Sequence, residues 1–112
     1  MTELKIRNKE YNNPVEISLD IIGGKWKMPI IWSLKDNSKR YGELRKLLPK
    51  VTHKMLTQQL RELETDEIII RKVYAEVPPK VEYSLTLLGK SVIPVIDLLN
   101  EWGEEYNSVF DK

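Results

Sequence analysis

The 112-residue chain suits one compact domain with a single core, and its 31% charged and 41% hydrophobic residues are ordinary for a folded soluble protein. It has no cysteine, which excludes disulfides, thiolate nucleophiles, thiol-based metal sites and any cysteine redox switch in this chain. No apolar run approaches the ~18 residues of a membrane span. The opening MTELKIRNKEYNN lacks a hydrophobic signal core, so the expectation is a cytoplasmic protein.

In chain order, residues 1–13 are polar and expected to be loosely held, with Leu4 and Ile6 as anchors. Pro14 suits the first position of a helix because the amide it lacks has no partner there. Val15, Leu19 and Ile22 then form a short apolar stripe with Ile21 beside it, and Gly23-Gly24 stop the helix. KWKMPIIWSL, Lys25 to Leu34, returns to helical spacing through Trp26, Ile30, Ile31 and Leu34. Pro29 is tolerated only in a first turn, which places the helix start near Lys25 or Trp26. Tryptophans at that spacing beside isoleucines read as core rather than as a stacking platform. Asp36 to Lys39 is a turn, and Arg40-Tyr41 a very short edge strand. GELRKLLP is a brief helix with Leu44, Leu47 and Leu48 inward and Arg45 and Lys46 outward, ended by Pro49.

After only Lys50 and Val51 comes the most informative stretch, VTHKMLTQQLRELETDE. Thr52 is a good N-cap, and Leu56, Leu60 and Leu63 make one apolar stripe. The opposite face carries His53, Lys54, Thr57, Gln58 and Arg61, with no acid before Glu62. Such side chains read base edges and hold phosphates. Two helices joined by so short a turn form a helix-turn-helix, the first crossing the DNA backbone and the second entering the major groove.

Ile68 to Tyr74 then reads as a strand, EVPPK as a stiff prolyl turn and VEYSL as the return strand, which together make a wing. Arg71, Lys72 and Lys80 are its candidate backbone contacts, Lys80 foremost because it sits at the tip. Thr86 caps a long last helix that Pro94 should kink or unwind. Its residues Leu87, Leu88, Val92, Ile93, Val95, Ile96, Leu98, Leu99, Trp102 and Tyr106 offer more apolar surface than one small domain hides. Asp97, Glu101, Glu104, Glu105 and Asp111 make its outer part acidic, which suits a partner helix better than DNA. Val92, Ile96, Leu99, Trp102 and Tyr106 are therefore expected in a dimer interface.

The net charge of +1 is uninformative, but its distribution is not. Lys35 to Arg61 holds eight basic residues (Lys35, Lys39, Arg40, Arg45, Lys46, Lys50, Lys54 and Arg61) against Asp36 and Glu43, while the rest of the chain has ten basic against fifteen acidic. One positive face on a nearly neutral body results. Lys39 and Arg40 accordingly join Thr52, His53, Lys54, Thr57, Gln58, Arg61 and Lys80 as expected DNA contacts. The expected fold is mainly α with a small β-hairpin wing: a single winged helix-turn-helix domain over 1–112, with 1–22 and 86–110 contributing dimerisation helices. Catalysis finds no support. His53 is the only histidine, no nucleophile has an adjacent base, and Gly23-Gly24 lacks the strand and spacing of a phosphate loop. Neither metal nor cofactor is expected. The competing reading is a winged-helix interaction module that does not read DNA, since fold alone does not carry function.

The stretches PVEISLDIIGGKWKMPIIWSL, RYGELRKLLPKVTHKMLTQQLRELETDEII, VYAEVPPKVEYSLTLLGKSV and NEWG together resemble the HxlR type of winged-helix regulator, from Pro14 to about Trp102. The resemblance implies a small homodimeric bacterial or archaeal transcription regulator, often a repressor, that binds repeated half-sites on double-stranded DNA. It places Thr52, His53, Lys54, Thr57, Gln58 and Arg61 on the recognition helix and Lys80 on the wing. Many members carry a cysteine immediately before the PVE segment; here that residue is Asn13. A signal, where there is one, must then be something other than thiol chemistry, such as an unidentified small-molecule effector held between the reading domain and the dimer helices.

Overall fold

Six helices and four short strands follow one another in the computed structural model, which describes residues 3–110. They are β1 (Lys5–Ile6), β2 (Lys9–Glu10), α1 (Pro14–Ile22), α2 (Lys27–Ser33), α3 (Tyr41–Leu47), α4 (His53–Thr65), β3 (Ile69–Tyr74), β4 (Lys80–Leu85), α5 (Leu87–Lys90) and α6 (Ile93–Phe110). Asp111 lies outside the described residues. The architecture is the winged helix-turn-helix expected from the pattern: α3 and α4 joined by a short turn, with the β3–β4 hairpin behind them.

The core is where the apolar periodicities converge. Ile30, Ile31 and Leu34 of α2, Leu44 of α3 and Leu56, Leu60 and Leu63 of α4 are buried together with Val51, Ile68, Ile69 and Leu85. Trp26 and Trp32 pack against this cluster as half-buried core residues. Thr52 caps α4 by accepting from the Met55 amide at 3.1 Å. Pro29 is the third residue of α2, where its missing amide costs little. In the wing, β3 and β4 pair antiparallel from Ile69↔Leu85 to Tyr74↔Lys80. The pair gains a third edge where Lys39 and Tyr83 exchange amide–carbonyl bonds of 2.9 and 2.8 Å. Gly89 lets α5 approach the chain entering β3, since a Cβ there would stand 2.1 Å from the Ile68 carbonyl oxygen.

Three expectations are corrected. The N-terminal segment is not loose. Lys5↔Glu10 and Ile6↔Lys9 close a miniature hairpin through Arg7 and Asn8, both left-handed at φ 46° and 68°. Arg7 is held in that costly conformation by an ion pair to Asp66, the C-cap of α4. The edge bridge falls on Lys39, not on Arg40-Tyr41. Arg40 instead caps α3, its amide donating to Glu43 at 2.8 Å, and Tyr41 is the first helical residue. Leu47 is exposed, because Leu44 and Leu48 occupy the side of α3 that meets the core. The last helix is locally unwound just before Pro94, as expected, which divides it into α5 and α6. A proline ring clashes with the carbonyl four residues earlier, which for Pro94 is that of Lys90, and α5 ends at Lys90.

After this break α6 leaves the body. Val92 and Ile96 are buried against it, whereas every residue from Asp97 to Phe110 is exposed. The radius of gyration is 16.1 Å, against about 13 Å for a compact chain of this length, so α6 projects as an arm.

Candidate nucleic-acid interface

With Leu56, Leu60 and Leu63 committed to the core, α4 turns its other face outward. His53, Lys54, Thr57, Gln58, Arg61 and Glu62 line one shallow groove of about 490 Å³ along that face. All five donor-bearing residues expected on the helix are thus brought together, with Thr52 exposed at its start. Among the described residues, ion pairs occupy Arg7, Lys9, Lys27 and Lys80. Lys54, Arg61 and Arg71 make none with a described acid, so their charge is available to an anion.

Glu62, the one acid in the groove, is already engaged. Its carboxylate accepts from Lys27 Nζ at 2.8 Å and from Gln58 Nε2 at 3.2 Å. The hydrogen bond from Lys27 holds the Glu62 carboxyl below its ordinary range, opposed by partial burial. Lys27 is only 6% exposed, so this pair ties α2 to α4 and neutralises an ammonium that would otherwise be buried alone. Gln58 is oriented by the same carboxylate. Because the folded-state pKa of Glu62 is lowered, its stabilisation is complete above the ordinary value of 4.5 and is lost as pH falls through the lower folded value. Glu62→Gln keeps an acceptor but removes the charge. It is expected to cost about 1 kcal/mol at neutral pH, since the carboxylate is partly solvated. Urea denaturation across pH 3 to 7 checks this: the variant's stability should vary less steeply on the acid side, and parallel curves would contradict the assignment.

A second concavity of about 420 Å³ separates α4 from the wing, lined by Tyr41, Thr57, Leu60, Arg61, Glu64, Arg71 and Tyr83. Arg61 and Arg71 approach it from helix and strand. Lys80, favoured from sequence, starts β4 rather than capping the tip. Its Nζ pairs with Glu82 at 3.4 Å and lies 5.0 Å from the Tyr74 ring centroid. Glu82 is itself held below the usual carboxylate range, chiefly by the hydroxyl of Ser38 at 2.7 Å. The tip instead presents Val77, which is fully exposed. Lys39 is half-buried in the bridge to Tyr83 with its ammonium on Asn37, and Arg40 is exposed at the start of α3.

Sequence reasoning missed Tyr41. Its hydroxyl reaches across from α3 to His53 Nδ1 at 2.6 Å, and no periodicity signals such a contact between separate helices.

The arm carries the expected apolar surface with a different membership. Val92 and Ile96 are spent in the chain's own core at 8% and 6% exposure, leaving Leu99, Trp102 and Tyr106 open. Trp102, Tyr106 and Phe110 stack in a ridge with centroids 5.4 and 5.0 Å apart. Val15 and Leu19 of α1 and Leu98 and Val109 of α6 are exposed as well. Among the described residues no cluster could hold a metal ion, and no helix is long and apolar enough to cross a membrane.

Comparison with known proteins gives one consistent result. The profile of the HxlR-like helix-turn-helix family matches residues 21–110. The chain is 58% identical over 99 residues to the uncharacterized HTH-type transcriptional regulator YdeP of Bacillus subtilis, covering 88% of this chain and 77% of that protein. It is 52% identical over 99 residues to an uncharacterized HTH-type regulator of Methanothermobacter thermautotrophicus, covering 88% and 76%. The structure is similar to that of the redox regulator HypR in its reduced form, at a TM-score of 0.83 and 49% identity over 88% of this chain and 98% of that one.

Proposed function

The chain belongs to the HxlR-like helix-turn-helix family of transcriptional regulators, which are not enzymes, and on that premise we propose that it is a homodimeric, sequence-specific repressor acting on double-stranded DNA in the cytoplasm. The observation that carries the reading is the outer face of α4. Five donor-bearing side chains line one open groove there, and its one acid is paired away from solvent cations by Lys27. An α-helix fits the major groove, and a donor-rich face suits phosphates and base acceptors.

Dimerisation is supported by the apolar faces that the fold leaves open on α1, α5 and α6, and a two-fold dimer reads a repeated half-site. Repression requires only that such a dimer occupy a promoter. A small-molecule effector would find room of about 420 Å³ among Ile6, Ile17, Ile21, Val92 and Val95, beside the α4 cap Asp66. HypR is described as a redox regulator, but this chain has no thiol with which to respond in kind.

The test is salt. Six or more phosphate contacts from a dimer using Lys54, Arg61 and Arg71 twice over predict a log-linear loss of about a thousandfold between roughly 50 and 200 mM salt. Fluorescence anisotropy with a labelled duplex measures it. Affinity insensitive to salt would move the reading to the interaction module.

A further inference from the structure

Tyr41 lies outside the donor set of α4, yet its hydroxyl is tightly engaged with it. The phenol oxygen stands 2.6 Å from His53 Nδ1, 3.2 Å from the His53 carbonyl oxygen and 3.5 Å from Thr57 Oγ1. The two rings meet edge-on, with centroids 5.2 Å apart and planes at 68°.

The direction of this bond and the tautomer of His53 are tied together. A phenol has one proton to give, and a neutral imidazole has one N–H and one lone pair. A separation of 2.6 Å is short, in the range that hydroxyl donors favour. Donation from Tyr41 to Nδ1 is the arrangement on which the inference below is built. The phenol's approach to the His53 carbonyl, at 3.2 Å, is the longer of its two contacts with that residue. The Thr57 hydroxyl is left free to donate into the phenol oxygen. With Nδ1 an acceptor, the ring proton sits on Nε2.

We infer that Tyr41 is a positioning residue that turns His53 into a hydrogen-bond donor toward DNA, an inference that rests on the proposed reading role of α4. A donor at Nε2 selects base edges that offer acceptors in the major groove: N7 and O6 of guanine, N7 of adenine or O4 of thymine. Cytosine, which presents a donor amine there, is disfavoured. His53 thereby contributes sequence discrimination at one position of each half-site, where a freely rotating imidazole would accept or donate indifferently.

The experiment has two arms. Nitrogen-15 NMR of the free protein, with its ring neutral, reads the tautomer directly, because His53 is the only histidine. The expected spectrum has an unprotonated Nδ1 and a protonated Nε2. Tyr41→Phe keeps the ring contact but removes the hydroxyl, and should give a mixture of tautomers with unchanged circular dichroism. In the second arm, a duplex panel substituted one base pair at a time should show wild-type protein discriminating against cytosine at one half-site position. Tyr41→Phe should reduce that discrimination about fivefold and leave the salt slope alone. A wild-type spectrum with the proton on Nδ1 overturns the donor assignment. A variant with wild-type tautomer or undiminished discrimination overturns the positioning role. Failure of the wild-type protein to bind any duplex removes the DNA-reading premise instead, and the free-protein spectrum still stands by itself.

Discussion

Trp102→Glu is expected to split the dimer and abolish tight operator binding while leaving the reading domain folded. The indole sits 62% exposed in the middle of the projecting α6, stacked on Tyr106 and flanked by the exposed Leu98 and Leu99. A partner arm laid on this face would bury the ridge from Trp102 to Phe110, and a large apolar side chain contributes about 1.5–3 kcal/mol when fully buried. A glutamate there forfeits that contribution in both copies and adds a charge that must be desolvated in the interface. The chain's own core is untouched, because α6 docks through Ile96 near its start, with Val92 buried just before the helix. Losing the second half-site should lower duplex affinity about a hundredfold or more, since bivalent gains commonly run from about 10² to 10⁴. Sedimentation with parallel duplex titration measures both effects. A variant that still sediments as the wild-type dimer would show that the arm serves another purpose.

The second large effect separates two kinds of contact on α4. Gln58→Ala is expected to narrow the gap between operator and scrambled duplex by about 1–3 kcal/mol, roughly 5- to 150-fold, because an amide held by Glu62 is pre-oriented for a base edge. Arg61→Ala should behave differently. Its guanidinium has no described acidic partner and faces the concavity shared with Arg71, where a backbone phosphate fits. Its loss should weaken operator and scrambled DNA alike and lower the salt slope by about one per contact. Titrating each variant against both duplexes distinguishes the roles. An unchanged specificity ratio for Gln58→Ala would remove that residue from base readout.

Much of this was legible because the informative signals are local. Leu56, Leu60 and Leu63 recur at helical spacing and are all buried, so the opposite face of α4 had to be open. Pro29 and Thr52 mark helix starts by backbone chemistry alone. The wing announced itself through a β-rich run before Pro78-Pro79 and the alternating Val81 to Leu85 after it. Other features depend on contacts between distant residues. The N-terminal hairpin has strands of two residues and is tied down by contacts from Arg7 to Asp66, 59 positions away, and from Lys9 and Tyr11 to Asp20. The inward pull on Val92 and Ile96 comes from the docking of α6 on α2, which periodicity cannot separate from a dimer face of the same apolar composition. Lys80 was favoured for its place in the turn, but Glu82 and Tyr74 hold it back. Tyr41 could not have been singled out, since its role is a contact from one helix to the next.

The most direct test of a dimeric, sequence-specific reader is selection of bound duplexes from a random pool by the native protein at near-physiological salt. The account predicts enrichment of one motif repeated with two-fold or tandem spacing, its half-sites about one or more helical turns apart. Recovery of no motif, with binding that fades uniformly as salt rises, would contradict it and leave α4 as a general polyanion contact.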